Sequence, residues 1–186
     1  MKHIQIKSIV IFAVLVALVA ATRSHHFDSL THLPDASLAA FLLAGIFLPV
    51  AAFPILLLVA GLSDYFAFNY AGVSDWCFSP AYWFLIPTYA VMWYAGRFYR
   101  ARHSMTWQGL SLFAGTSLVA TSAAFLISSG SFFLFSGRFA DMSALEYAAS
   151  VAKYYPQYLV GALAYLAVAV VVQMAAAKVS AHSAHA

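Results

Sequence analysis

Charged residues are rare in this sequence, and they stand at the ends of long apolar blocks. Only 8% of the 186 residues are charged, while 64% are hydrophobic. A soluble domain has about 25% charged residues, so this chain lacks the side chains to cover a water-soluble surface. An apolar block of about 18 or more residues, nearly free of charge, is typical of a helix that crosses a bilayer. The pattern therefore predicts an all-α membrane protein.

Six apolar blocks predict six transmembrane helices. They cover residues 4–22, 36–53, 55–70, 81–98, 109–128 and 156–178. The second and third blocks are nearly continuous, but one helix over 36–70 would be about 50 Å long, against ~30 Å for the hydrocarbon core. Pro49 and Pro54 predict a turn between them, because proline interrupts helical hydrogen bonding.

The distribution of charge predicts the orientation of the six helices. On the side of both termini lie Lys2, Lys7, Arg97, Arg100, Arg102 and Lys178. On the other side lie Arg23, Arg138, Lys153 and all six acidic residues, Asp28, Asp35, Asp64, Asp75, Asp141 and Glu146. Cytoplasmic loops carry the excess of Lys and Arg. We therefore expect both termini in the cytoplasm and three loops (23–35, 61–80 and 129–155) on the outer face of the inner membrane.

The chain is predicted to form a single membrane domain over residues 1–178, followed by a polar, disordered tail over 179–186. Its basic start and first apolar run also resemble a signal peptide, but we interpret this segment as the first membrane helix. The net charge of +3 does not indicate nucleic-acid binding, because the basic residues lie at block ends. The sequence contains no phosphate-binding loop, so we expect no ATP hydrolysis by this chain itself.

Three alanines in the first helix predict a helix-docking surface. Ala13, Ala17 and Ala21 recur at four-residue spacing and share one face. Small residues let a second helix approach closely within lipid. The alternative is that alanine is simply common in membrane helices.

The densest aromatic stretch of the chain surrounds its only cysteine, Cys77. Aromatic residues at the membrane boundary either contact a ligand or form an ordinary interfacial belt. A thiolate is a soft ligand for transition metals, and a lone thiol can supply one axial ligand to a metal that a macrocycle already holds. The alternative for Cys77 is a packed, inert thiol. His25 and His26, in the first outer loop, either contact a ligand or belong to a solvated loop.

In topology, length and alanine stripe, the chain resembles the S components of energy-coupling factor (ECF) transporters, which are vitamin-binding membrane subunits. The segment Gly72-Val73-Ser74-Asp75-Trp76-Cys77-Phe78-Ser79-Pro80, with Leu62-Ser63-Asp64-Tyr65 upstream, resembles the cobalamin-specific members of this group, the BtuM family. The resemblance implies that Cys77 ligates the cobalt of cobalamin and that the alanine stripe docks a coupling subunit, which works with two ATPases.

The function that the resemblance implies is vitamin uptake. We also expect the Cys77 thiol to promote removal of an upper cobalt ligand such as cyanide. The residues expected to contact the corrin are Tyr65, Phe68, Tyr70, Asp75, Trp76, Phe78, Tyr82, Trp83, His25, His26, Arg138 and Tyr147. Two other functions stay open at this point. One is a membrane enzyme with Cys77 as nucleophile, which needs a nearby base. The other is an assembly protein that binds helices through the alanines.

Overall fold

The computed structural model describes residues 2–23, 33–70 and 79–183, with side chains for 6–23, 33–70 and 79–178, and these ranges contain only helices and connections. The α-helices are α1 Lys2–Arg23, α2 Ser37–Phe47, α3 Ala52–Tyr70, α4 Leu85–Arg100, α5 Trp107–Phe135, α6 Ala144–Ala152 and α7 Tyr155–Ser183. A 3₁₀ helix, Pro80–Phe84, leads directly into α4. The all-α prediction is confirmed for this part of the chain.

Within the described ranges, four helices are long and apolar enough to cross a bilayer. They lie at Ile6–Arg23, Ala52–Tyr70, Trp107–Phe135 and Tyr155–Lys178. These are the properties of a helical membrane protein. The other two predicted spans contain shorter helices, since α2 has 11 residues and α4 has 16.

The short helix α2 lies in the middle of the molecule. Nine of its eleven residues are buried, and it contacts α1, α3, α4 and α7. It ends at Phe47, before an extended Leu48 and Pro49, and is therefore about 16 Å long rather than spanning 36–53 as the sequence suggests. Because α2 carries no charged side chain, it is suited to burial on all sides.

Two glycines allow α2 and α4 to pack backbone against backbone. A Cβ atom at Gly45 would lie 2.2 Å from the carbonyl oxygen of Trp93, and one at Gly96 would lie 2.1 Å from that of Leu42. Both distances are far below van der Waals contact, so a larger residue would push the helices apart. Small residues serve this purpose widely in membrane proteins.

Helices α3 and α5 extend into segments that the sequence analysis treats as outer loops. Helix α5 continues through Ser131, whose hydroxyl donates to the carbonyl oxygen of Ser128 (2.9 Å), so the Ser131 side chain has a partner within its own helix. The helix ends at Phe135, and Gly137 follows with a positive φ of 71°, a conformation that glycine adopts without strain.

Helix α6 lies inside the predicted third outer loop. Its start is a capping box, in which the Ser143 hydroxyl accepts from the Glu146 amide (3.3 Å) and the Glu146 carboxylate accepts from the Ser143 amide (2.8 Å). The hydrogen bonds from the Ser143 side chain and backbone hold the pKa of Glu146 below its ordinary value.

Contacts between distant helices define two ends of the bundle. At the first, the arginine end, Arg23 in the last turn of α1 contacts Asp64 of α3 and Tyr89 near the start of α4. At the second, the cavity end, Gln173 in the last third of α7 lies 3.3 Å from His103, which follows α4. Helix α4 runs from the arginine end to the cavity end. Because α1 finishes at the arginine end, it begins at the cavity end, and the last third of α7 also lies at the cavity end.

Helix α7 continues to Ser183, beyond the boundary at Lys178 that the sequence analysis places before a disordered tail. Alanine favours helix, and no glycine or proline interrupts this stretch. Residues 184–186 lie outside the described residues.

Candidate functional site

The arginine end contains a buried ion pair between α1 and α3. Arg23 is only 3% exposed, and its Nε and Nη2 atoms each donate to one oxygen of Asp64 at 2.7 Å. This is the bidentate geometry in which the planar guanidinium matches a carboxylate. The pair joins residues 41 positions apart in the sequence.

The third nitrogen of the same guanidinium extends the network to α2 and α4. Arg23 Nη1 donates to the Ser37 hydroxyl (3.1 Å) and to the Tyr89 hydroxyl, and it lies 3.7 Å from Asp35 Oδ2. The other Asp35 oxygen accepts from the Ser37 amide (2.9 Å), which places Asp35 at the start of α2. One arginine, in the last turn of α1, therefore contacts residues of three other helices, α2, α3 and α4.

Tyr82 connects this network to the segment that contains Cys77. It lies on the 3₁₀ helix, four residues after the last of residues 71–78, and its hydroxyl donates to Asp64 Oδ2 at 2.6 Å. Asp64 lies on α3, six residues before that helix ends at Tyr70. Both flanks of residues 71–78 are therefore tied to the same carboxylate.

Six of the thirteen residues predicted to contact cobalamin lie outside the described residues. These are Cys77, Asp75, Trp76, Phe78, His25 and His26. Within the described ranges, no group of three or more His, Cys, Asp and Glu side chains is placed to hold a metal ion. A cobalt ligand at Cys77 accordingly remains a prediction from the sequence.

The predicted aromatic contacts on α3 and the 3₁₀ helix lie mostly at the surface. Tyr65 is exposed, Tyr70 is 76% exposed and Trp83 is 72% exposed, while Phe68 is partly buried. The Phe66 ring lies 5.7 Å from the Tyr70 ring. These side chains flank residues 71–78 on both sides, a position that suits either a ligand or the membrane boundary.

Arg138 and Tyr147 lie on the connection between α5 and α7. Tyr147 is buried against Phe133 and Phe139 (both 4.8 Å between ring centroids), and its hydroxyl donates to the carbonyl oxygen of Ser129 (2.9 Å). Its hydroxyl thus already has a main-chain partner. Arg138 is exposed.

A stacked aromatic pair brings this connection next to the 3₁₀ helix. The rings of Phe84 and Phe135 lie 4.7 Å apart and nearly parallel. The predicted contacts on both regions therefore lie at the arginine end.

The alanine stripe lies on an uncovered face of α1. Ala13, Ala17 and Ala21 are all exposed, whereas Leu15 and Val19 on the opposite face are buried. The rest of the bundle therefore leaves the face with the small residues free along two turns of the helix.

The pairing of Arg23 with Asp64 was not predicted from the sequence, where Arg23 counted only toward topology and Asp64 toward topology and the family resemblance. Asp64 lies inside a helix that is otherwise free of charge. An ionisable residue in such a helix indicates a buried partner, and this was the available signal. Sequence spacing does not indicate which basic residue pairs with Asp64, because Arg23 lies 41 positions away.

Comparison with known proteins gives no match, either to a family model or to a curated protein.

Proposed function

We propose that this protein is a cobalamin-binding uptake subunit of the inner membrane, with Cys77 as an axial ligand of cobalt. The observation that carries the proposal is that Asp64 contacts both described flanks of the stretch that contains the only cysteine. This cysteine belongs to an eight-residue segment, 71–78, whose two flanks Asp64 anchors through α3 and through Tyr82. A segment held at both sides by one buried carboxylate can present a side chain in a defined place.

The electronic chemistry of a thiolate suits this role. The corrin ring occupies four positions around cobalt and leaves two axial ones, and the soft sulfur of Cys77 is a suitable donor for one of them. In the proposed exchange, the Co–S bond forms as the Co–cyanide bond breaks. Cyanide leaves with its electron pair and takes up the proton that the thiol releases, so the cobalt oxidation state does not change.

The surrounding aromatic residues support the binding of a large ring. Tyr65, Tyr70 and Trp83 lie exposed beside the flanks of residues 71–78. Aromatic side chains offer large apolar surfaces with polar edges, which match a corrin and its amide side chains. Asp75, Trp76, Phe78, His25, His26, Arg138 and Tyr147 complete the proposed set of contacts.

The exposed alanine face supports a partner helix. We infer that Ala13, Ala17 and Ala21 dock the coupling subunit of an ECF-type transporter with two ATPases, since this chain has no ATP-binding motif of its own. In this arrangement six helices cross the membrane, both termini and the cavity end face the cytoplasm, and the arginine end faces outward.

The visible absorbance spectrum of the purified protein with cyanocobalamin and hydroxocobalamin tests the proposal. Ligation by sulfur shifts the cobalamin absorption bands. We expect this shift with the natural chain and its complete loss in Cys77→Ser. A matched control, Cys77→Ser combined with Ser74→Cys, keeps one thiol in the segment but moves it three residues, and should not restore the shift.

An unchanged spectral shift in Cys77→Ser would refute cobalt ligation by this residue. Labelling intact cells with an impermeant maleimide tests the orientation separately, because Cys77 is the only cysteine. We expect labelling from outside, and labelling only after the cells are opened would place the segment on the wrong face.

A further inference from the structure

A cavity of about 230 Å³ lies at the cavity end, at the opposite end of the bundle from Arg23. It is formed by α2, α4, α5, α7 and the turn 101–106, and its wall is mostly apolar. The apolar residues of the wall include Leu43, Phe47, Leu110, Phe113 and Val170. Met105 and Trp107 also line it and are exposed, so the cavity opens to the surface of the bundle beside this turn.

Three of the polar side chains that line the cavity are in contact, since His103 contacts both Tyr99 and Gln173. Nδ1 of His103 lies 3.0 Å from the Tyr99 hydroxyl, and Nε2 lies 3.3 Å from the Gln173 side-chain nitrogen. The same nitrogen of Gln173 contacts the Met105 sulfur at 3.9 Å. These contacts join α4, the turn and α7. The hydroxyl side chains of Ser104 and Thr106, 3.0 Å apart, also line the cavity, and the remainder of the wall is apolar.

Basic residues flank this cavity. Arg100 and Arg102 lie between Tyr99 and His103 in the sequence, and Lys178 lies one helical turn beyond Met174, another lining residue. All three basic side chains are exposed. The Arg102 guanidinium lies 4.0 Å from the centre of the Phe98 ring, which keeps its charge beside apolar surface.

The acidic residues that the structure describes are all at the other end. Asp35 and Asp64 contact Arg23, and Asp141 and Glu146 lie between α5 and α7 at the arginine end. The cavity end therefore combines an apolar recess with positive charge.

We propose that this cavity binds an acyl chain of an anionic glycerophospholipid whose phosphate group contacts Arg100, Arg102 and Lys178. Basic pockets between membrane helices are suited to anionic head groups, and the apolar recess is suited to a hydrocarbon chain. The cavity is smaller than the roughly 300–1,000 Å³ of a site for a drug-sized ligand, so it accommodates part of one chain. This site is independent of cobalamin, which is far too large for it.

Quenching of tryptophan fluorescence by brominated lipid tests the proposal, because Trp107 lines the cavity. The protein is reconstituted with increasing fractions of phosphatidylglycerol or phosphatidylcholine that carry bromine in mid-chain. The signal of Trp107 is the part that Trp107→Phe removes. Half-maximal quenching should need at least about fivefold less phosphatidylglycerol than phosphatidylcholine. Fivefold is the effect of about one surface charge, and three are available.

Two pairs of variants separate the head group from the chain. Arg100→Gln, Arg102→Gln and Lys178→Gln together should reduce the preference to less than about twofold, whereas Lys153→Gln, at the arginine end, should leave it unchanged. Ala169→Phe fills the cavity and should weaken quenching by both lipids, whereas Ala164→Phe, on an exposed face of the same helix, should not.

Equal quenching by the two lipids in the natural chain would overturn the proposal. Unchanged quenching in a folded Ala169→Phe variant would also overturn it, since the lipid would then contact only the rim. Should Ala169→Phe fail to fold, the variant without the three surface charges still decides. A Trp107 response to inorganic phosphate without lipid would indicate a simple anion site and contradict the proposed lipid.

Discussion

Arg23 at the arginine end is 3% exposed and contacts two carboxylates and two hydroxyls, whereas Arg100 at the cavity end is exposed beside an apolar recess. The same side chain therefore serves two purposes in one bundle. At the arginine end its charge is compensated inside the protein and fixes helix positions. At the cavity end the arginine charge is exposed on the protein surface, where a membrane lipid can reach it. The difference follows from the acidic residues, because the four described ones all lie at the arginine end.

Removing the carboxylate from the buried pair should have the largest effect. Asp64→Asn leaves the Arg23 guanidinium buried without its bidentate partner, and such losses cost about 3–5 kcal/mol. We expect this decrease in the free energy of unfolding when the protein is titrated with SDS in mixed micelles. Asp141→Asn, at an exposed position, serves as the control and should change stability by less than about 0.5 kcal/mol.

Equal stability of Asp64→Asn and Asp141→Asn would contradict a structural role for the buried ion pair at the arginine end. The comparison between the two ends would also fail if Arg100→Gln at the cavity end destabilised the protein as much as Asp64→Asn, since the exposed arginine is expected to have little structural role.

The glycine contact between α2 and α4 should be the next most sensitive feature. Gly96→Ala places a Cβ atom against the Leu42 carbonyl oxygen, and overpacking of this kind costs about 1–3 kcal/mol. Gly115→Ala is the matched control, because a Cβ there meets no atom within 4 Å. It should stabilise helix α5 by about 0.5–1 kcal/mol. Thermal unfolding in detergent measures both, and equal effects of the two substitutions would exclude a tight α2–α4 contact.

Loss of the Tyr82 hydroxyl should have a smaller effect that is specific to the arginine end. Tyr82→Phe removes the hydrogen bond to Asp64, and a bond to a charged group is worth about 1.5–3 kcal/mol. We expect a value near the lower limit, because Tyr82 is only partly buried. Tyr94→Phe, at an exposed position on α4, should be neutral. A better test of coupling is faster proteolysis within residues 71–78 in Tyr82→Phe alone, and identical cleavage in both variants would argue against it.

The two helix caps should differ in their response to pH. Thr106 caps α5 at the cavity end through an uncharged hydroxyl, whereas the α6 cap also uses the Glu146 carboxylate. The folded state lowers the pKa of Glu146, so its contribution is complete above the unfolded value, about 4.3, and is lost as pH falls through the folded pKa. Amide chemical shifts should therefore report loosening of the first turn of α6, but not of α5, in acid. Equal changes at both caps would contradict this prediction.

Much of the helical framework was predictable, because it depends on local hydrophobicity. Each predicted span contains a helix, and the turn near Pro49 separates α2 from α3. The lengths were harder to predict. The core helix α2 is shorter than its apolar block, while α5 continues through serines that bond to their own backbone. Hydropathy alone predicts neither the shortness of α2 nor the extra length of α5.

The candidate site was predictable only in part. The sequence singles out Cys77, the aromatic residues around it and the alanine stripe, and the structure leaves those alanines uncovered. The anchoring of residues 71–78 through Tyr82 and Asp64 was not predicted, since it depends on two side chains 18 positions apart.

Composition and apolar block length by themselves determined that this chain is a helical membrane protein, because bilayer thickness and backbone hydrogen bonding act on each segment separately. Only the tertiary structure decided that Arg23 pairs with Asp64, that Gly45 and Gly96 bring two helices into contact, and that a cavity remains beside His103. Each of these features depends on residues far apart in the sequence, whose meeting is set by how the helices pack.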